Sequence, residues 1–135
     1  MACARVELLG ITNDLPGEVL EWQPAPGEWS IEGVLRHVAA AERWYLTRIL
    51  NSSTLTHFKP LKSIWARLDA VRALALERLA ELSEAELSAV VADKSGELWS
   101  ARKVFRRCLE HEREHTDHIS KVLEQYAMNH NRDHL

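Results

Sequence analysis

The sequence is poor in helix breakers and in covalent staples, with only 5 Gly, 4 Pro and 2 Cys in 135 residues. So little Gly and Pro argues against a turn-dense β-sandwich or barrel. Cys3 and Cys108 are too few for a disulfide framework or a Cys-rich zinc site. No window holds the roughly 18 consecutive apolar residues of a membrane span. The opening MACARVELLG lacks the long apolar stretch of a secretory signal. The expectation is a cytoplasmic protein with no membrane partner. Large charge of one sign is missing too: the formal net charge is −3, which excludes the basic footprint of a nucleic-acid binder.

What is abundant is helix formers, with 19 Leu, 16 Ala, 15 Glu and 12 Arg. The length gives a single domain over 1–135. A chain of this size buries about two-thirds of its unfolded surface and needs no staple. Apolar periodicity predicts four main helical segments. The first, about Ala4 to Asn13, is short. Pro16-Gly17 interrupts it, and Glu18–Trp22 adds one turn. QPAPGEW reads as a loop, and Ser30 as the N-cap of a second helix reaching about Leu50. NSSTLTHFKP is then a connection long enough to cross the bundle. The third helix is predicted from about Leu61 to Leu82, with Ile64, Leu68, Val71, Ala75 and Leu79 inward. Ser83 with Glu86 forms a capping-box pattern opening a short helix through Val91. ADKSGELW reads as a loop, Ser100 caps a fourth helix to about Tyr126, and 127–135 reads as a frayed tail. GEWS and GELWS precede the second and fourth helices, a short match that convergent capping explains better than an internal repeat does.

Seven histidines are present, and their placement carries the chemistry. EHEREHTDHI in the fourth helix puts His111 and His115 one turn apart on one face. At about 100° per residue, both lie mid-stripe with Val104, Cys108, Val122 and Tyr126. Two imidazoles inside an apolar stripe cost desolvation unless something pairs with them. A divalent metal would do so, and neutral imidazole suits Zn²⁺, Ni²⁺, Cu²⁺ or Fe²⁺. Hydrogen-bonded core histidines are the alternative. A third ligand is needed, and His37 on the second helix is the best candidate, although it sits about 100° from the centre of that helix's apolar arc. His118 lies at the stripe's edge. His57, His130 and His134 fall in connecting or terminal segments and read as solvated. Cys108 borders the same face, where a buried Cys usually only packs.

HEREH also satisfies H-E-x-x-H, which would make Glu112 a general base. His118 and Lys121 occupy the positions of the extended protease pattern, and no strand is evident to hold a peptide. A di-iron carboxylate site needs a second Glu-x-x-His helix, which is missing. Glu112 leans inward beside Phe105 and Ile119. It is a candidate proton acceptor, or a buried carboxylate bonded to His or Arg.

Two stretches, WQPAPGEWSIEGVLRHVAAAERWYL and GELWSARKVFRRCLEHEREHTDHI, resemble the DinB-like (damage-inducible) superfamily over about residues 15–126. The resemblance implies an all-α four-helix bundle with a long crossover between helices 2 and 3. It also implies a divalent metal on three histidines, which match His37, His111 and His115 here. Some relatives are metal-dependent thiol S-transferases using low-molecular-weight thiols, others are maleylpyruvate isomerases, and homodimers are common. The short first helix departs from that pattern and leaves apolar surface for a second subunit to cover.

The expectation is therefore a His₃ centre carrying zinc or nickel. Its three neutral imidazoles would leave the ion its full charge, enough to activate a thiol toward a small electrophilic substrate. A metal-dependent hydrolase and a non-enzymatic metal-binding or stress-response protein are the rival readings.

Overall fold

The computed structural model describes residues 2–50 and 63–132. Eight elements follow in order: α1 (Ala2–Thr12), α2 (Gly17–Glu21), α3 (Ile31–Leu46), α4 (Ile64–Ala80), α5 (Glu84–Ser88), β1 (Val91–Ala92), β2 (Leu98–Trp99) and α6 (Ala101–Arg132). α3 packs against α4 and α6, and α1 packs against α6. These four helices make the expected all-α four-helix bundle. The expected crossover at 51–62, with His57, lies outside the described residues, as does His134.

The helix starts follow their capping residues. Ser30 Oγ accepts from Gly33 N at 3.1 Å, Ser100 Oγ accepts from Lys103 N at 3.2 Å, and Ser83 with Glu86 closes a full capping box. Three boundaries differ from the sequence reading. α3 stops at Leu46 rather than near Leu50, because Thr47, Arg48 and Ile49 tighten into i→i−3 turns while Thr47 Oγ1 donates to Trp44 O. α5 stops at Ser88 rather than Val91, because Val91 and Ala92 pair antiparallel with Trp99 and Leu98. That hairpin turns through Gly96 at φ +88°, a conformation glycine adopts without a Cβ clash.

α6 also continues past Tyr126 to Arg132, so 127–132 is helical. An aromatic stack anchors it: Tyr126 and His130 rings lie 3.8 Å apart, and Trp22 meets Tyr126 edge-on at 5.4 Å. His130 is half-buried in this stack, and its Nδ1 donates to Tyr126 O at 2.9 Å.

The core is in two pieces. One apolar cluster gathers Leu8, Val34, Leu35, Val38, Leu68, Ile119 and Val122, and another gathers Leu46, Ala75, Leu79, Trp99, Val104 and Cys108. Between them along the helices lie Arg5 of α1, Glu42 of α3, Arg72 of α4 and Glu112 of α6. Arg5 Nη2 and Arg72 Nε donate to Glu42 at 3.1 and 2.6 Å. Arg72 Nη2 donates to Glu112 at 3.0 Å, and Arg5 Nε donates to the other Glu112 oxygen. Arg5 Nη1 also donates to Leu68 O at 3.1 Å. Two guanidiniums and two carboxylates thus neutralise each other and tie all four long helices at one level.

Candidate metal centre

His37 on α3 meets His111 and His115 on α6 on one side of that charged layer. Their Nε2 atoms converge, with His37 to His111 at 2.8 Å and His111 to His115 at 3.1 Å. One ligand atom from each ring can be chosen so that all three lie within 4.8 Å of one another. The i,i+4 spacing stacks His111 over His115, and the packing of α3 on α6 brings His37 across to both. His37 stands well away from the centre of its helix's apolar arc, and from there it reaches the neighbouring helix.

Hydrogen bonding among the three rings does not satisfy them. His111 Nε2 takes part in both short contacts, but a neutral imidazole nitrogen offers one proton or one lone pair, never both. It can therefore complete only one of the two bonds. His115 Nδ1 is buried with no partner among the described residues. A cation at the meeting point accepts all three lone pairs at once. Three nitrogens held about 2.0–2.1 Å from one ion stand about 3.0–3.4 Å apart, and the observed separations lie near that range. The donor set fits a divalent ion of the zinc or nickel kind.

The electrostatics keep the rings neutral. Burial lowers the pKa of His37, and burial followed by the charge of His37 lowers that of His111. His115 is pushed down to about 4, first by burial and then by His111 and His37. Neutral rings keep the lone pairs a metal requires. Trp29 lies against His37 with ring centroids 4.7 Å apart, and stacks near His115 at 6.3 Å. On the open side, His37, Ala40, Ala41, Trp44, Tyr45 and His111 line a mostly apolar cleft of about 370 Å³.

Glu112 lies in the charged layer beside this centre. It is 2% exposed, and both its oxygens are engaged by Arg5 and Arg72. It is the buried carboxylate bonded to arginine that the sequence also allowed. His118 is half-buried, its ring 5.7 Å from that of His115. Cys108 lines a small cavity shared with His111, but burial pushes its thiol up to about 12, so it stays protonated and inert. Sequence reasoning missed the partners of Glu112. Glu42 carried a signal, since it continues the inward stripe of Val34 and Val38 by one more turn. Arg5 carried none, because α1 has no strong apolar periodicity against which an inward arginine stands out.

No functionally curated protein shows significant similarity to the chain. Solved structures do. TT2238, described as a four-helix bundle protein, is 22% identical with a TM-score of 0.69, over 89% of this chain and 92% of that one. The DinB-like protein YjoA from Bacillus subtilis is 13% identical with a TM-score of 0.70, over 92% of this chain and 86% of that one. YfiT from Bacillus subtilis, described as a probable metal-dependent hydrolase with an unusual four-helix bundle topology, is 13% identical with a TM-score of 0.63, over 92% and 82%. At these identities the likeness establishes the fold alone. The DinB superfamily model matches residues 3–119, which includes all three histidines and nearly the whole bundle. The chain belongs to the DinB superfamily.

Proposed function

We propose that this protein holds one divalent metal ion, zinc or nickel, on His37, His111 and His115, and uses it to transfer a low-molecular-weight thiol to a small electrophile. The observation that carries the reading is the convergence of three neutral imidazole nitrogens that cannot satisfy one another. A divalent ion so held supplies positive charge that favours the anionic form of a thiol or water near neutral pH.

The chain's own residues supply the rest. His37 from one helix and the His111–His115 pair from another hold the donor geometry. The cleft beside them, walled by Ala40, Ala41, Trp44 and Tyr45, accepts an apolar electrophile and excludes water from it. Burial holds Tyr45 above its ordinary pKa, so its phenol stays neutral. Cys108 stays a thiol for the same reason, so the reacting sulfur must come from outside the chain.

Hydrolysis is the second reading, favoured by the description of YfiT as a probable metal-dependent hydrolase. A purely metal-binding role is the third. Metal-loaded protein incubated with a thiol and a chloro-nitro-arene separates them. Chloride release that needs thiol, metal and His111 supports transfer. Ester or amide turnover without thiol supports hydrolysis, and turnover of neither leaves metal binding alone.

A homodimer belongs to the same proposal. Val6 on α1 and Leu76 on α4 are large apolar side chains left 68% and 55% exposed, suited to cover by a second copy. A monomeric mass by light scattering at micromolar concentration would remove that part.

A further inference from the structure

A second recess adjoins the histidine cleft. It is a groove of about 770 Å³ between the end of α3 and the 91–99 hairpin, and its lining includes Trp44, Thr47, Arg48, Lys94 and Ser95. Trp44 also walls the cleft beside His37 and His111, so one indole borders both spaces.

The charges in this groove are unequally answered. Asp93 is consumed by its own turn: Oδ1 accepts from Ser95 N at 2.9 Å, Ser95 Oγ at 2.6 Å and Glu97 N at 3.1 Å, and Oδ2 accepts from Trp99 Nε1 at 3.0 Å. Glu97 Oε1 accepts from Lys103 Nζ at 3.0 Å. The cations are less fully answered: Arg48 has only a long ion pair to Asp93, at 3.7 Å. Arg48 lies over the Trp44 ring, its guanidinium carbon 4.0 Å from the ring centroid. Its Nη2 donates to the Thr47 hydroxyl at 3.0 Å, and its Nη1 contact with Asp93 is too long for a hydrogen bond. Its Nε is buried with no partner among the described residues. Lys94 makes no ion pair among the described residues. A guanidinium fixed on an aromatic face, with Nη1 short of a full hydrogen bond, is preorganised for a planar oxyanion.

We infer that this groove is an oxyanion subsite that takes the carboxylate of a small organic acid, with Arg48 and Lys94 supplying the charge and the shared Trp44 wall leading the rest of the ligand toward the histidine cleft. The subsite stands on its own residues. Only its link to the reaction rests on the function proposed above, where it selects an acidic substrate or co-substrate over a neutral one.

The test follows the indole N–H of Trp44 by NMR, assigned through its loss in Trp44→Phe, while 4-phenylbutanoate or its neutral amide is titrated into the full-length protein. The acid shifts the signal saturably and the amide binds about ten- to a hundredfold more weakly, the range expected for a charge-assisted hydrogen bond. Arg48→Gln removes the preference for the acid. Arg48→Lys, which keeps the charge without the fork, retains part of it and guards against a folding defect. Competition by acetate but not inorganic phosphate assigns a carboxylate. Stronger competition by phosphate overturns that choice in favour of a phosphate ester, and competition by neither overturns the subsite. Equal binding of acid and amide, or a preference unchanged in Arg48→Gln, overturns it as well. His111→Ala keeps the subsite while removing a metal ligand. Anion binding that persists there without metal supports a groove that works on its own residues, so that a failure of thiol transfer would count against the metal centre alone; anion binding lost there counts against the groove.

Discussion

Two polar groups sit at the middle of this bundle, and they are opposites. The Arg5–Glu42–Arg72–Glu112 layer is charged, nearly dry and internally complete, since every carboxylate oxygen accepts from a guanidinium. The His37–His111–His115 cluster is neutral, half-buried and internally incomplete, since one ring nitrogen is asked to serve two neighbours. Both draw on α3 and α6. A polar group that closes on itself joins helices, whereas one that stays open waits for a ligand. Position in the core does not tell the two apart, but the count of donors against acceptors does.

Substitution should separate the two regions cleanly. Glu112→Ala leaves Arg5 and Arg72 with buried charge unanswered and is expected to cost about 3–5 kcal/mol in urea unfolding. Its folded fraction should still take up metal. His111→Ala should do the reverse. Structural zinc sites bind with roughly 10–16 kcal/mol in all, so losing one of three imidazoles should weaken metal binding on the order of a thousandfold, read by competition with a chromophoric chelator. The metal-free stability of that variant should stay within about 1 kcal/mol of the parent, because a desolvated ring is being removed. A variant of either kind that moved both readouts equally would erase the distinction.

Smaller effects sharpen it. Trp29→Ala removes the ring that orients His37 and flanks His115. It should weaken metal binding by about tenfold, as outer partners of a ligand do, with little change in unfolding. The pH response is smaller still. His115 is held at about 4, below its ordinary 6.5. The unfolded chain therefore binds more protons across that interval. This contribution to stability is complete above about 6.5 and is lost as pH falls through the folded value. Urea midpoints of metal-free protein should decline over that window, and His115→Leu should decline less steeply.

Much of this was legible in the sequence, for identifiable reasons. Ser30, Ser83 and Ser100 announce helix starts because a hydroxyl satisfying a free N–H is a local event. His111 and His115 announce themselves because one helix carries both and imidazole is conspicuous in an apolar stripe. His37 was harder. Its direction places it at the edge of the α3 face, and only the packing of α3 on α6 shows that this edge faces the other two rings. The hairpin was hidden because strands of two residues have no period to read, although Asp93 and Gly96 are ordinary turn chemistry. Which arginines hold Glu112 could not be read, because they come from α1 and α4, far away in sequence. The extension of α6 to Arg132 depends on Trp22 reaching Tyr126, which is likewise a long-range contact.

The most direct test of the metal centre is X-ray absorption at the metal edge of protein loaded with one equivalent of zinc. Three imidazole nitrogens should appear at about 2.0–2.1 Å, with His37→Ala, His111→Ala and His115→Ala each losing that signature. A shell without imidazole scattering, or one unchanged by all three substitutions, would contradict the assignment.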